Sequence, residues 1–194
     1  MSESQFFSKF LPLNSLKGKS ILFDSRSQKE RSSLSLSFLN EILSAGIPSI
    51  YFSFDQPPEL LKSLQLNSGN LRFIDCYSRS PAYDFLSSEL NNFTESFKGP
   101  YFIAFNSISS FLAFNSPNTL YHFLFFEHNK IRKRNAIALH CIDSGLHDRK
   151  LFELIKKLTD LHLKASEERG LEKISIVPSS KNFFDFKLKE FSIF

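Results

Sequence analysis

The apolar positions of the chain fall into two alternating patterns, short continuous runs and longer stretches with helical spacing. Ser20-Ile21-Leu22-Phe23-Asp24 is a compact β-rich run. The segment 28–44 then places Leu34, Phe38 and Ile42, with Leu36, Leu39 and Leu43, at helical intervals, and Gly46 stands just past its end. A second strand is predicted over 48–54, and Pro57-Pro58-Glu59 opens a short helix through Leu64. A third strand over 71–77 precedes a helix over 82–97. The fourth strand, 100–105, is apolar on both faces, as a buried parallel strand should be. A helix over 118–134, a fifth strand over 135–142 and a helix over 148–159 complete the alternation. From residue 160 the pattern changes to hairpin-like strands. These elements predict an α/β fold: a mostly parallel twisted sheet with helices on both faces, extended by antiparallel C-terminal hairpin strands. One domain is expected over 1–194, with 1–17 as a lead-in and 160–194 as the antiparallel extension.

In such sheets ligands sit beyond the carboxyl ends of the strands. Gly18-Lys19-Ser20 carries the last three letters of a phosphate-binding P-loop, G-x-x-x-x-G-K-[ST], but it precedes the first strand, and the first glycine of the motif would fall on Leu13. It is read as a chance match in a lead-in turn, with Lys19 solvated. The true loop position follows Asp24, where the chain reads Ser25-Arg26-Ser27-Gln28-Lys29-Glu30-Arg31-Ser32, and no glycine lies between Gly18 and Gly46. A phosphate cradle needs inward-pointing backbone N–H groups with some residues at positive φ, which glycine supplies at no steric cost. Here side chains crowd the turn, and Glu30 sets a carboxylate against the anion. Ordinary ATP binding is expected to be lost.

The order and spacing of the elements resemble the RecA-like ATPase superfamily, and within it the small archaeal and bacterial KaiC/RadA-type proteins, over roughly residues 16–194. Ser37-Phe38-Leu39 is similar to the family's "Q-F-L" stretch after its phosphate loop. Phe54-Asp55-Gln56-Pro57-Pro58-Glu59-Leu60 resembles the strand end where one acid polarises the attacking water, placing Asp55 at the first acid and Gln56 at the second. Phe102-Ile103-Ala104-Phe105-Asn106-Ser107 is similar to the Walker B strand, with Asn106 at the position of the magnesium-binding Asp. Leu139-His140-Cys141 looks like the later "T-A-H", and 174–178 with 191–194 look like the closing hairpins. The resemblance implies a three-layer αβα RecA-like fold and an archaeal source. It also implies vestigial phosphate-loop positions at Ser25, Gln28, Glu30, Arg31 and Ser32, a vestigial Walker B position at Asn106 and a vestigial acid at Asp55. An amide is a poorer magnesium ligand than a carboxylate, and phosphoryl transfer leans on metal and lysine to offset developing charge. A pseudo-ATPase with no cofactor and no metal is therefore expected.

Composition adjusts this picture only slightly. The 194 residues are 42% hydrophobic with a net charge of +4, an ordinary globular balance that permits nucleic acid as a partner without demanding it. Cys76 and Cys141 show no disulfide or zinc spacing, no apolar run reaches membrane-spanning length, and the N-terminus lacks a signal-peptide layout, so a cytoplasmic protein without membrane insertion is expected. His140, Cys141, Asp143 and His147 gather near one strand end but match no established metal spacing. His122 and His128 are six apart and share no helix face. The run Ile131-Arg132-Lys133-Arg134 closes a helix, where cations favour the dipole, and Lys156-Lys157 lies in another helix; a nucleic-acid patch is the alternative reading, without clear aromatic–basic interleaving to support it.

Phenylalanine is abundant, with 24 residues. Clusters at Phe123, Phe125, Phe126 and at Phe183, Phe184, Phe186, Phe191, Phe194 exceed what one stripe or face buries, which implies exposed aromatic surface for a subunit contact. The leading expectation is a regulatory or scaffolding subunit that forms a homo-oligomer, or a hetero-oligomer with an active RecA/KaiC-like paralogue. Two alternatives differ in class. One is an atypical ATPase with Arg31 on phosphate and Asp55 as the base. The other is a DNA-repair accessory that binds single-stranded DNA.

Overall fold

The computed structural model describes residues 11–57, 68–79, 82–168, 171–178 and 190–193. A helical turn, α1 (Leu13–Leu16), leads into β1 (Lys19–Asp24), followed by α2 (Gln28–Ser44), β2 (Ser49–Ser53), β3 (Leu71–Asp75), α3 (Tyr83–Glu95) and β4 (Phe102–Phe105). Then come α4 (Ile108–Leu112), α5 (Pro117–Arg134), β5 (Ile137–Ile142), α6 (Arg149–Leu158), β6 (Leu161–Glu168), β7 (Leu171–Pro178) and β8 (Glu190–Ile193).

The strands form one mixed sheet in the order β3-β2-β4-β5-β1-β6-β7-β8. β1 lies parallel between β5 and β6, and β2 lies parallel between β3 and β4. Antiparallel pairing begins only at β7. The expected antiparallel extension thus starts one strand later than residue 160, because β6 completes the parallel set on β1 before the chain turns back. The predicted helix from Pro57 lies almost wholly outside the described residues, as do Phe183, Phe184, Phe186 and Phe194.

Strand side chains alternate between two cores. Ile21, Phe23, Tyr51, Phe102, Leu139 and Leu163 face α2, which buries Leu34, Phe38 and Ile42 against them together with Leu11 and Leu16 from the lead-in. Leu22, Ile50, Phe52, Ile103 and Phe105 face the other way, against α3, α4, α5 and α6. The two layers of helix cover the central strands on both faces, which is why β1, β2, β4 and β5 have largely apolar centres.

On the α3–α6 face aromatic rings dominate. Phe105 stacks on Phe52 at 4.6 Å between centroids and meets Phe123 edge-on at 5.5 Å. Such pairs add about 0.5–1.5 kcal/mol each beyond area burial. Among the described residues the phenylalanines therefore go largely into one core layer, while Phe125 and Phe126 point outward.

Gly18 sits at φ +72° and donates its N–H to the Ala136 carbonyl at 2.7 Å, so it turns the chain into β1 at the strand's amino end. Lys19 and Ser20 are strand residues. This is the end of the sheet away from any phosphate site, and it disposes of the Gly18-Lys19-Ser20 match. Lys19 itself is half-buried rather than fully solvated.

Candidate functional site at the carboxyl ends of the strands

β1, β2, β4 and β5 deliver Asp24, Asp55, Asn106 and Asp143 to the same end of the sheet. The link from β1 to α2 is only Ser25-Arg26-Ser27. Ser27 caps α2, its Oγ accepting from the Glu30 N–H at 3.3 Å, and helix begins at Gln28. Gln28, Glu30, Arg31 and Ser32 are thus helical residues, not members of a loop. The helix starts early because a serine N-cap satisfies its first orphan donors as soon as the strand ends.

The side chains fill the short turn. The Ser27 N–H donates to Ser25 Oγ at 3.0 Å, and that hydroxyl donates in turn to the Glu30 carboxylate. Arg31 is 6% exposed and folds inward. Its Nη1 donates to the Ser25 carbonyl at 2.7 Å and lies 3.6 Å from Asp143 Oδ2, while its Nη2 lies 3.4 Å from Asp55 Oδ2. Asp55 also accepts from Ser110 Oγ at 2.6 Å, and its backbone carbonyl accepts from Gln28 Nε2 at 2.6 Å. One guanidinium therefore ties together the carboxyl ends of β1, β2 and β5, and both its carboxylate partners are nearly buried.

Asn106 is fully buried. Its Oδ1 accepts from the Phe54 N–H at 2.7 Å, a structural bond between β4 and the end of β2. Its amide nitrogen lies near enough to the Tyr51 hydroxyl to influence it yet makes no hydrogen bond of good geometry. The Tyr51 phenol is pushed well above its ordinary pKa by burial and is held by Ser35 at 2.8 Å.

These residues do not fit a nucleoside triphosphate with its magnesium. Three non-glycine residues cannot wrap a phosphate chain, a carboxylate occupies the turn, and the Asn106 oxygen is already used. The Arg31 guanidinium points to protein acids instead of open space.

The sequence left two further arrangements unread. Asp24 accepts from the Ser144 N–H and Oγ at 3.1 and 2.9 Å and lies 4.0 Å from His162 Nε2. Ser109 Oγ accepts from the Asp143 N–H at 3.0 Å and lies 2.8 Å from His147 Nε2. Acids at successive strand ends were visible in the sequence; their partners come from distant segments and were not.

The imagined metal cluster does not assemble. His140 stacks on Phe105 at 5.4 Å in one core, whereas Cys141 enters the opposite core and its Sγ donates to the Arg31 carbonyl at 3.9 Å. Burial pushes the Cys141 thiol well up and the His140 imidazole down to about 3. Among the described residues no group of three potential ligands could hold a metal ion. Cys76, raised by burial to about 12, belongs to the core that excludes Cys141, so the two thiols cannot meet. At the other end of the sheet, Asp160 accepts from the Ser20 N–H and from Arg132 Nη2, both at 2.9 Å, and His128 Nδ1 lies 2.9 Å from Ser20 Oγ.

Neither a family model nor a curated protein sequence matches the chain. Among solved structures it is similar to a KaiC-like protein of the hyperthermophilic archaeon Pyrococcus horikoshii OT3. The TM-score is 0.65 at 11% identity, covering 91% of this chain and 85% of that one. The fold is RecA-like. At that identity the likeness carries the backbone and not the chemistry, and within the RecA-like frame the strand-end residues are those described above. Among the described residues no helix is long and apolar enough to cross a membrane.

Proposed function

We propose that this chain is a RecA/KaiC-like subunit without ATPase activity, acting as a regulatory or scaffolding partner through association with other proteins. The observation that carries the reading is the inward-folded Arg31, bound to Ser25, Asp55 and Asp143. A nucleotide site must keep its cation available for phosphate and its magnesium carboxylate free. Here the cation neutralises the protein's own acids, and an amide stands at the end of β4. The apolar scaffold around these residues is intact on both faces of the sheet. Exposed aromatic side chains such as Phe125 and Phe126 supply surface suited to a partner.

The competing enzyme reading assigns Asp55 as the base, and turnover separates the two. Phosphate release from ATP and Mg²⁺ is expected to stay at the protein-free rate for both the native chain and Asp55→Ala. ATP hydrolysis that disappears in Asp55→Ala would establish the enzyme instead.

A further inference from the structure

α5 and α6 run side by side, both antiparallel to the strands they connect, and leave a groove of about 360 Å³ between them. Pro117, Asn118 and Tyr121 form one wall, and Asp148, Lys150, Leu151 and Leu154 form the other. The apolar surface continues along α5. Tyr121 stacks on Phe125 at 6.4 Å, and Phe125 meets Phe126 edge-on at 5.8 Å. Phe125, Phe126 and Leu154 are 44%, 55% and 37% exposed. Contiguous exposed apolar side chains of this kind are a feature of contact sites.

Charge identifies the occupant. Lys150, Leu154 and Lys157 share one stripe of α6, at spacings of four and three. Among the described residues Lys150 and Lys157 form no ion pair, and neither does Lys133 near the end of α5. The acids of these helices each have a partner within their own helix, and Asp148, at the amino end of α6, is the one carboxylate among the described residues lining the groove. Glu127 is buried with Lys130 at 3.1 Å, Glu153 lies 3.8 Å from Lys156, and Asp148 caps α6 by accepting from the Leu151 N–H at 3.0 Å. The face therefore offers an apolar centre with an unpaired cation one turn to either side. A groove between two packed helices is the shape that accepts a third.

We propose that the α5–α6 face docks an acidic amphipathic helix of a partner protein. Its apolar side chain enters beside Tyr121, Phe125 and Leu154, and carboxylates one turn before and after it meet Lys150 and Lys157. This gives a contact face to the docking role proposed above and rests on that reading. The two fail separately: nucleotide titration of the same preparation reports on the strand-end site, and the assay below reports on this face alone.

The probe is a labelled synthetic helix of about 18 residues, roughly 27 Å long, with leucine at its apolar positions and glutamate flanking them. Its counterpart carries lysine at every glutamate. Fluorescence anisotropy with the full chain is expected to show saturable binding of the acidic helix that weakens with salt. Binding should fall by about tenfold or more in Leu154→Glu and in Lys150→Glu/Lys157→Glu, with circular dichroism unchanged because these residues are exposed. The lysine helix should not bind. Four results would overturn the proposal: no binding of the acidic helix, equal binding of both helices, binding that survives Leu154→Glu, or self-association of the chain that Leu154→Glu abolishes. Retention on phosphatidylserine vesicles that the same variants remove would assign the face to a lipid surface and overturn it as well.

Discussion

Arg31→Ala is expected to destabilise the chain by about 3–5 kcal/mol, because it strands two nearly buried carboxylates without their cation. At about 2–4 °C per kcal/mol for a chain of this size, the melting temperature should fall on the order of 10 °C. The geometry sets the size of the effect. Nη1 serves the Ser25 carbonyl and Asp143, and Nη2 serves Asp55, so a single planar group bridges three strand ends. Lysine presents one ammonium and cannot span that fork, so Arg31→Lys should recover only part of the loss. Adding Asp55→Asn to Arg31→Ala should restore stability relative to the single variant, since it removes a charge left without a partner. Urea unfolding followed by circular dichroism at pH 7 checks all three. An Arg31→Ala loss below about 1 kcal/mol, the level of a surface ion pair, would show that the guanidinium does not close the site.

Acid is expected to unfold the protein well before its carboxylates are neutralised. Burial holds His140 down to about 3 and His162 down to about 4, the latter despite Asp24 beside it. In the unfolded chain both histidines bind a proton near pH 6.5, whereas in the folded chain neither does until far lower. The unfolded state thus holds more protons between those values, so stability is full above about pH 6.5 and falls as pH drops toward 4. Each histidine contributes about 1.4 kcal/mol per pH unit, or roughly 3 kcal/mol over that window. His140 stacks on Phe105 and its buried Nδ1 has no hydrogen-bond partner among the described residues, so His140→Phe should keep the aromatic packing and remove about half of the slope. Urea midpoints measured from pH 7.5 to 4.5 test this. A flat profile for the native chain, or an unchanged slope in His140→Phe, would contradict it.

The fold was largely legible because its signals are periodic. The helix over 28–44 is found where Leu34, Phe38 and Ile42 and the trailing Gly46 place it, and α5 and α6 fall within a residue of expectation. α4 was missed: five residues are too few for a period, although the capping Ser107 and the Ile108–Phe111 spacing were there to read. The direction of β6 was missed for another reason. Its sequence records burial, but a strand with a parallel neighbour on one side and an antiparallel one on the other reads the same.

At the site, the residue types were legible and their partners were not. Aligning Arg31 with a phosphate-binding lysine placed it at the carboxyl ends of the strands; only the alternative ATPase reading aimed it at phosphate, and its protein partners could not be read from the alignment. Its carboxylate partners, Asp55 and Asp143, are brought to it only by parallel strands closing over one another. Spacing already speaks against His140 and Cys141 as joint metal ligands, and alternation gives the stronger reason, since adjacent residues of a buried strand face opposite cores.

The central claim is that the turn after β1 is closed by its own side chains, with no room left for a triphosphate. Isothermal titration calorimetry of the full chain with ATP and Mg²⁺ at pH 7.5 tests it most directly. The account predicts only heats of dilution, for the native protein and for Asp55→Ala alike. A saturable isotherm of micromolar or tighter affinity would contradict it.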